Sequence, residues 1–145
     1  MWPPLLREST VEVFSTMVGV TVTSQSSAAP VLAQVTGMVG IAGPLCATFS
    51  LQCSTRSATM IASQMLGVSV SEARAQKCDA IGEVCIMVAG DFKSRIGLGD
   101  MCMLSVPTVL AGNDYQIRCR RQDERLEMLL LYQDEAFRIA LDISR

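Results

Sequence analysis

Val13 to Thr55 is a run of 43 residues without a single charge, and no other feature limits so closely what this chain can fold into. Only Arg7, Glu8 and Glu12 are charged before it, and the other 23 charges begin at Arg56. A stretch of this kind belongs either in a membrane or in a protein core. It contains Ser24, Gln25, Ser26, Ser27, Pro30, Gln34 and Pro44, so it offers no run of about 18 apolar residues such as a span requires. The first residues, Met1-Trp-Pro-Pro-Leu-Leu-Arg-Glu8, lack the basic and long apolar regions of a signal peptide. A soluble, cytoplasmic domain with no membrane partner is the expectation. At 145 residues the chain suits one domain spanning 1–145 with one core. Half the residues are hydrophobic and 18% are charged, which excludes a disordered chain. A net charge of -2 and a pI near 5.1 leave no basic footprint, so no nucleic acid partner is expected. Nine methionines suit an adaptable interior or a contact surface able to repack.

The six cysteines are Cys46, Cys53, Cys78, Cys85, Cys102 and Cys119. No Cys-x-x-Cys pair occurs and there is no histidine, so no metal site is expected. With no sign of secretion, all six read as small buried hydrophobes rather than disulfide partners.

Leu5 to Val18 reads as a first helix, with Leu5, Val11, Phe14 and Val18 near helical spacing. Ser24 to Pro30 is a polar break. Val31 to Ile41 and Leu45 to Cys53 then read as strands joined at Ala42-Gly43-Pro44, a hairpin signal. In the second run Cys46, Thr48, Ser50 and Gln52 oppose Leu45, Ala47, Phe49 and Leu51, the alternation of a half-buried strand. Ser54 is placed to cap a helix that Gly67 closes. Ser69-Val-Ser-Glu72 has the capping-box form and opens a long helix, Ser71 to Ile96, that Gly97 closes. Met101 to Val106 is a short strand, Tyr115 to Arg121 and Leu126 to Tyr132 flank a charged turn over Gln122 to Arg125, and Ala136 to Ile143 is a final strand. Helices among antiparallel hairpins make the class α+β.

The long helix has two faces. At about 100° per residue, Lys77, Ile81, Val84, Cys85, Val88, Phe92 and Ile96 form one stripe that suits a sheet, with Lys77 at its margin. Glu72, Gln76, Asp79, Glu83, Ile86, Gly90 and Ser94 gather opposite. Asp79 and Glu83 are four apart, Gly90 leaves the backbone approachable, and Ile86 is an apolar residue within a polar face. The bland alternative is two solvating carboxylates and one surface isoleucine, a common arrangement. The functional alternative is a docking face, with carboxylates meeting a cation and Ile86 meeting apolar surface.

The segment Asp79-Ala-Ile-Gly-Glu83-Val-Cys-Ile86-Met-Val-Ala-Gly90 resembles the active helix of the CheX, CheC and FliY receiver-domain phosphatases, whose pattern is Asp/Ser-x3-Glu-x2-Asn followed at a distance by Pro. Leu104-Ser-Val-Pro107-Thr-Val-Leu-Ala-Gly112 resembles the Pro-Thr-Val segment of CheX proteins. The helix from Ser54 to Leu66 carries no Glu-x2-Asn, which resembles single-site CheX rather than two-site CheC. The resemblance implies a CheC-like fold: an antiparallel sheet packed by two long helices plus an N-terminal helix. It also implies a phosphorylated CheY-type receiver as partner, no cofactor of the chain's own (Mg2+ being carried by the receiver), and a homodimer paired through sheet edges. The terminal strands are long and apolar enough for such pairing.

In that family the Glu pairs with the receiver's lysine and the Asn orients the water that attacks the aspartyl phosphate. Glu83 fills the first role, while Ile86 stands where the Asn belongs and has neither donor nor acceptor. Asp79, Glu83, Ile86, Gly90 and Pro107 are therefore the expected partner-binding residues. Glu83 and Ile86 occupy the catalytic positions. Receiver binding is expected with dephosphorylation weak or lost, which leaves open whether the chain acts as an enzyme. Rescue by Cys85, facing the apolar stripe, or by Asp91, more than a turn away, is not expected. The alternatives are an active phosphatase using another water-orienting group, or a non-catalytic dimeric scaffold that keeps the fold.

Overall fold

The computed structural model describes residues 2–25, 31–113, 115–117 and 123–144. Cys119 and the 118–121 part of the Tyr115 to Arg121 run lie outside the described residues, as does most of the polar break after Gln25. In chain order the elements are α1 (Trp2–Val13), a π turn (Phe14–Val18), β1 (Val22–Gln25), β2 (Val35–Ala42), β3 (Cys46–Cys53), α2 (Thr55–Leu66), α3 (Val70–Ala73), a 3-10 turn (Arg74–Gln76), α4 (Lys77–Arg95), β4 (Met103–Leu104), β5 (Thr108–Ala111), β6 (Glu124–Tyr132) and β7 (Glu135–Ser144). The fold is α+β. One antiparallel sheet runs β1-β6-β7-β3-β2-β4, and β5 pairs with β2 beside β4.

The strand alternation read from the sequence sets the sheet's two faces. Val39 lies opposite Phe49, Phe49 opposite Leu141, and Leu141 opposite Leu126. The first three are fully buried and Leu126 is half-buried. This face receives α1, α2 and α4. The other face carries polar cross-strand groups. Arg125 donates to both oxygens of Asp142 at 2.8 Å, and Arg138 donates to Gln52 at 2.9 Å. Asp142 is only 4% exposed, so this pairing is what makes its burial tolerable.

Backbone geometry fixes two junctions. Gly43 closes the β2–β3 hairpin at φ +148, where a β-carbon would lie 2.5 Å from the Met101 carbonyl oxygen. At Gly37 of β2 a β-carbon would lie 2.7 Å from Cys85 Sγ and 2.9 Å from Ile81 Cγ2. That bare position lets α4 sit directly on the strand.

Several expectations change. The long helix starting at Ser71 is broken: Arg74–Gln76 tightens to a 3-10 turn, and α4 begins at Lys77. The break lets Ala73 and Ala80, from its two sides, both pack on Ala62 of α2. The polar break called at Ser24 opens inside a strand, because Val22–Gln25 pairs with Leu129–Tyr132 although it has only one apolar residue. The turn called over Gln122 to Arg125 is already strand from Glu124, held by the Arg125–Asp142 pairing across β7. Residues 115–117 are not strand, and Tyr115 places its hydroxyl 2.7 Å from Thr36. Finally, the last strand β7 is interior, paired on both sides, so it supplies no free edge.

The cysteines also divide. Cys53, Cys85 and Cys102 are buried and Cys78 is half-buried. Cys46 is exposed, because it takes the outer position of alternating β3. Among the described residues, no helix is long and apolar enough to cross a membrane.

Candidate functional site

The sheet-facing stripe of α4 is as the sequence indicates: Ile81, Val84, Cys85, Val88 and Phe92 are fully buried, while Lys77 and Ile96 are half-buried. That burial fixes the rotation of the helix and turns Asp79 and Glu83 to solvent. Neither carboxylate has a hydrogen bond or ion pair among the described residues. Asp79 lies in the first turn of α4, while Lys93 and Arg95 lie in the last, so these charges also complement the helix dipole.

A second element completes the face. Ser105 donates its N–H to the Gly40 carbonyl at 2.9 Å, and its hydroxyl accepts from the Gly40 N–H at 2.8 Å. These two hydrogen bonds to β2 pin the chain as it passes α4. Pro107 and Val109 then lie over Gly82, where a β-carbon would meet Pro107 Cβ, Pro107 Cγ and Val109 Cγ2 at 3.4 Å. Leu104 Cδ1 would lie 3.7 Å from a β-carbon at Gly90. Pro107 and α4, 25 residues apart at Gly82 in sequence, thus form one surface.

Ile86 occupies the middle of that surface and is half-buried, packed against the core rather than standing free. Gly90 is half-buried as well, so the surface at that point is approachable but not bare. Apart from Glu83, three polar groups of this part of α4 are already committed. Burial pushes the Cys85 thiol up, which keeps it protonated. Asp91 accepts from Arg95 Nε at 2.5 Å, and Lys93 donates to the Gly99 carbonyl.

Sequence reasoning did not find the exposed apolar groups of the neighbouring segment: Met101, Met103 (76% exposed), Val106 (84%) and Leu110. Met101 to Val106 is apolar at nearly every position, so it carried no period from which a face could be read.

Residues 35–130 match the sequence profile of the family described as Chemotaxis phosphatase CheX. The chain belongs to the CheX family. No curated protein matches its sequence. Among solved structures, a CheC-like superfamily protein from Shewanella sp. PV-4 superposes with a TM-score of 0.83 at 19% identity, covering 99% of this chain and 97% of that one. The chemotaxis protein CheX from Vibrio vulnificus gives 0.81 at 22% identity, covering 99% and 96%. The CheX-CheY-BeF3-Mg+2 complex from Borrelia burgdorferi gives 0.80 at 16% identity, covering 100% and 99%. The CheC-like fold expected for a CheX chain is the fold present.

Proposed function

We propose that this chain binds a phosphorylated CheY-type receiver domain through the outer face of α4, and that its power to dephosphorylate that receiver is weak or lost. The observation that carries the proposal is the pairing of an uncommitted Glu83 with Ile86 three residues on, flanked by Pro107. A free carboxylate on a rigid helix suits a receiver's ammonium group. The related Borrelia CheX is solved with CheY and BeF3, a mimic of the phosphoryl group, which supports a charged receiver as the partner. At Ile86 there is no donor or acceptor to orient a water, and loss of such positioning costs on the order of 10²-fold in rate.

The test uses CheY-type receivers of the source organism. Wild type is expected to bind the BeF3-charged form more tightly than the uncharged form. In catalytic amounts it should leave phosphate release from the acetyl phosphate-charged receiver unaccelerated, while Ile86→Asn accelerates it. Rapid release by wild type, unchanged in Glu83→Ala, would overturn the assignment of the site.

A homodimer is part of the same proposal. The open edge of β4 and β5 runs beside exposed Met103, Val106 and Leu110, and such edges favour strand pairing. Light scattering is expected to give twice the chain mass, falling to one chain mass in Met103→Lys.

A further inference from the structure

We infer that docking of α4 shields the receiver's phosphoryl group from water, so that this chain prolongs the life of the charged receiver. The inference rests on the receiver-binding role proposed above. Hydrolysis of an acyl phosphate forms a bond from a water oxygen to phosphorus and breaks the bond from phosphorus to the carboxyl oxygen. The products are a carboxylate and inorganic phosphate. Its rate depends on a water held in line with the breaking bond, and so on a group able to hold it.

From Gly82 to Gly90 the polar side chains of α4 are Glu83 and Cys85, and Cys85 is fully buried. Packed against this stretch are Leu104, Pro107 and Val109, all hydrocarbon. Of the polar groups further along, Asp91 is engaged with Arg95, Lys93 with the Gly99 carbonyl, and Ser105 with the backbone of Gly40 and Val106, while Asp79 and Ser94 lie about two turns of helix from Ile86. Glu83 is an acceptor without a donor, and a receiver ammonium would occupy it. The surface immediately around Ile86 is therefore apolar and close-packed on its inner side, and its nearest polar side chain, Glu83, is the one the ammonium takes up. Closing such a surface over a reactive group expels solvent and suppresses hydrolysis.

The experiment charges a CheY-type receiver with acetyl phosphate, removes the donor, and follows inorganic phosphate release at a chain concentration giving about nine-tenths occupancy. Occupancy is measured separately with the BeF3-charged receiver. Release is expected to slow about tenfold, the free fraction alone decaying. Ile86→Ala, which leaves room for water, should recover part of the free rate, and Ile86→Val should not. High occupancy with release at or above the free rate would overturn the shielding while leaving receiver binding intact. No binding would overturn both.

Discussion

The two long helices of one layer, α2 and α4, use the polar side chains of their first turns in opposite ways. At the start of α2 the Ser54 hydroxyl accepts from the Ser57 N–H at 3.0 Å, and both hydroxyls donate to Glu135 at 2.5 Å. Arg56 reaches the same carboxylate at 3.4 Å, and the Gln34 side chain accepts from the Thr55 N–H at 2.9 Å. These groups bind other parts of the chain, tying α2 to β7 and to the start of β2. On α4 the inward side chains are buried hydrocarbon and a thiol, while Asp79 and Glu83 face solvent with no partner in the described chain. Polar groups consumed internally anchor a helix, whereas groups held rigid and left unpaired are available to something else.

Substitutions on each helix break or sharpen that contrast, and the largest effects belong to the inward side of α4. Phe92 is buried with its ring nearly perpendicular to that of Trp2, the centroids 6.0 Å apart. Phe92→Ala should cost about 3–5 kcal/mol in urea unfolding. Gly37→Ala, which forces α4 off β2, should cost about 1–3 kcal/mol by the same measurement.

Glu135→Gln should cost about 1 kcal/mol at neutral pH, with a pH signature. Hydrogen bonds from Ser54 and Ser57, then Arg56, hold the Glu135 carboxyl below its ordinary 4.5. The carboxylate thus stabilises the fold fully above the unfolded value, and that contribution fades as pH falls through the lower folded one. The gap between wild type and Glu135→Gln should close on acidification, as followed by thermal unfolding. The smallest effect should come from the outward face: Asp79→Asn with Glu83→Gln should shift stability by no more than about 0.5 kcal/mol.

Local signals were legible because their physics is local. Ser54 and Gly67 bound α2, the β3 alternation gives the sheet its inner face, and Ile81 to Phe92 lies on the sheet as its spacing requires. Contacts distant in sequence were not. Glu135 anchors α2 from 81 residues beyond Ser54, and no pattern in either segment announces it. Strand β1 owes its existence to β6, not to its own four residues. The site divided along the same line. A helical projection places Asp79, Glu83 and Ile86 on one face, but it cannot show Leu104 and Pro107 packing beside them, so Ile86 looked freer than it is.

The most direct measurement sets the two helices against each other. The BeF3-charged receiver is titrated against wild type, Glu83→Ala on α4 and Gln64→Ala, an exposed position on α2. With all three equally stable, Glu83→Ala is expected to weaken binding at least about tenfold, the loss of one charge-assisted contact. Gln64→Ala should leave affinity unchanged. Equal affinity for wild type and Glu83→Ala, or a loss confined to Gln64→Ala, would contradict the assignment of the docking face to α4.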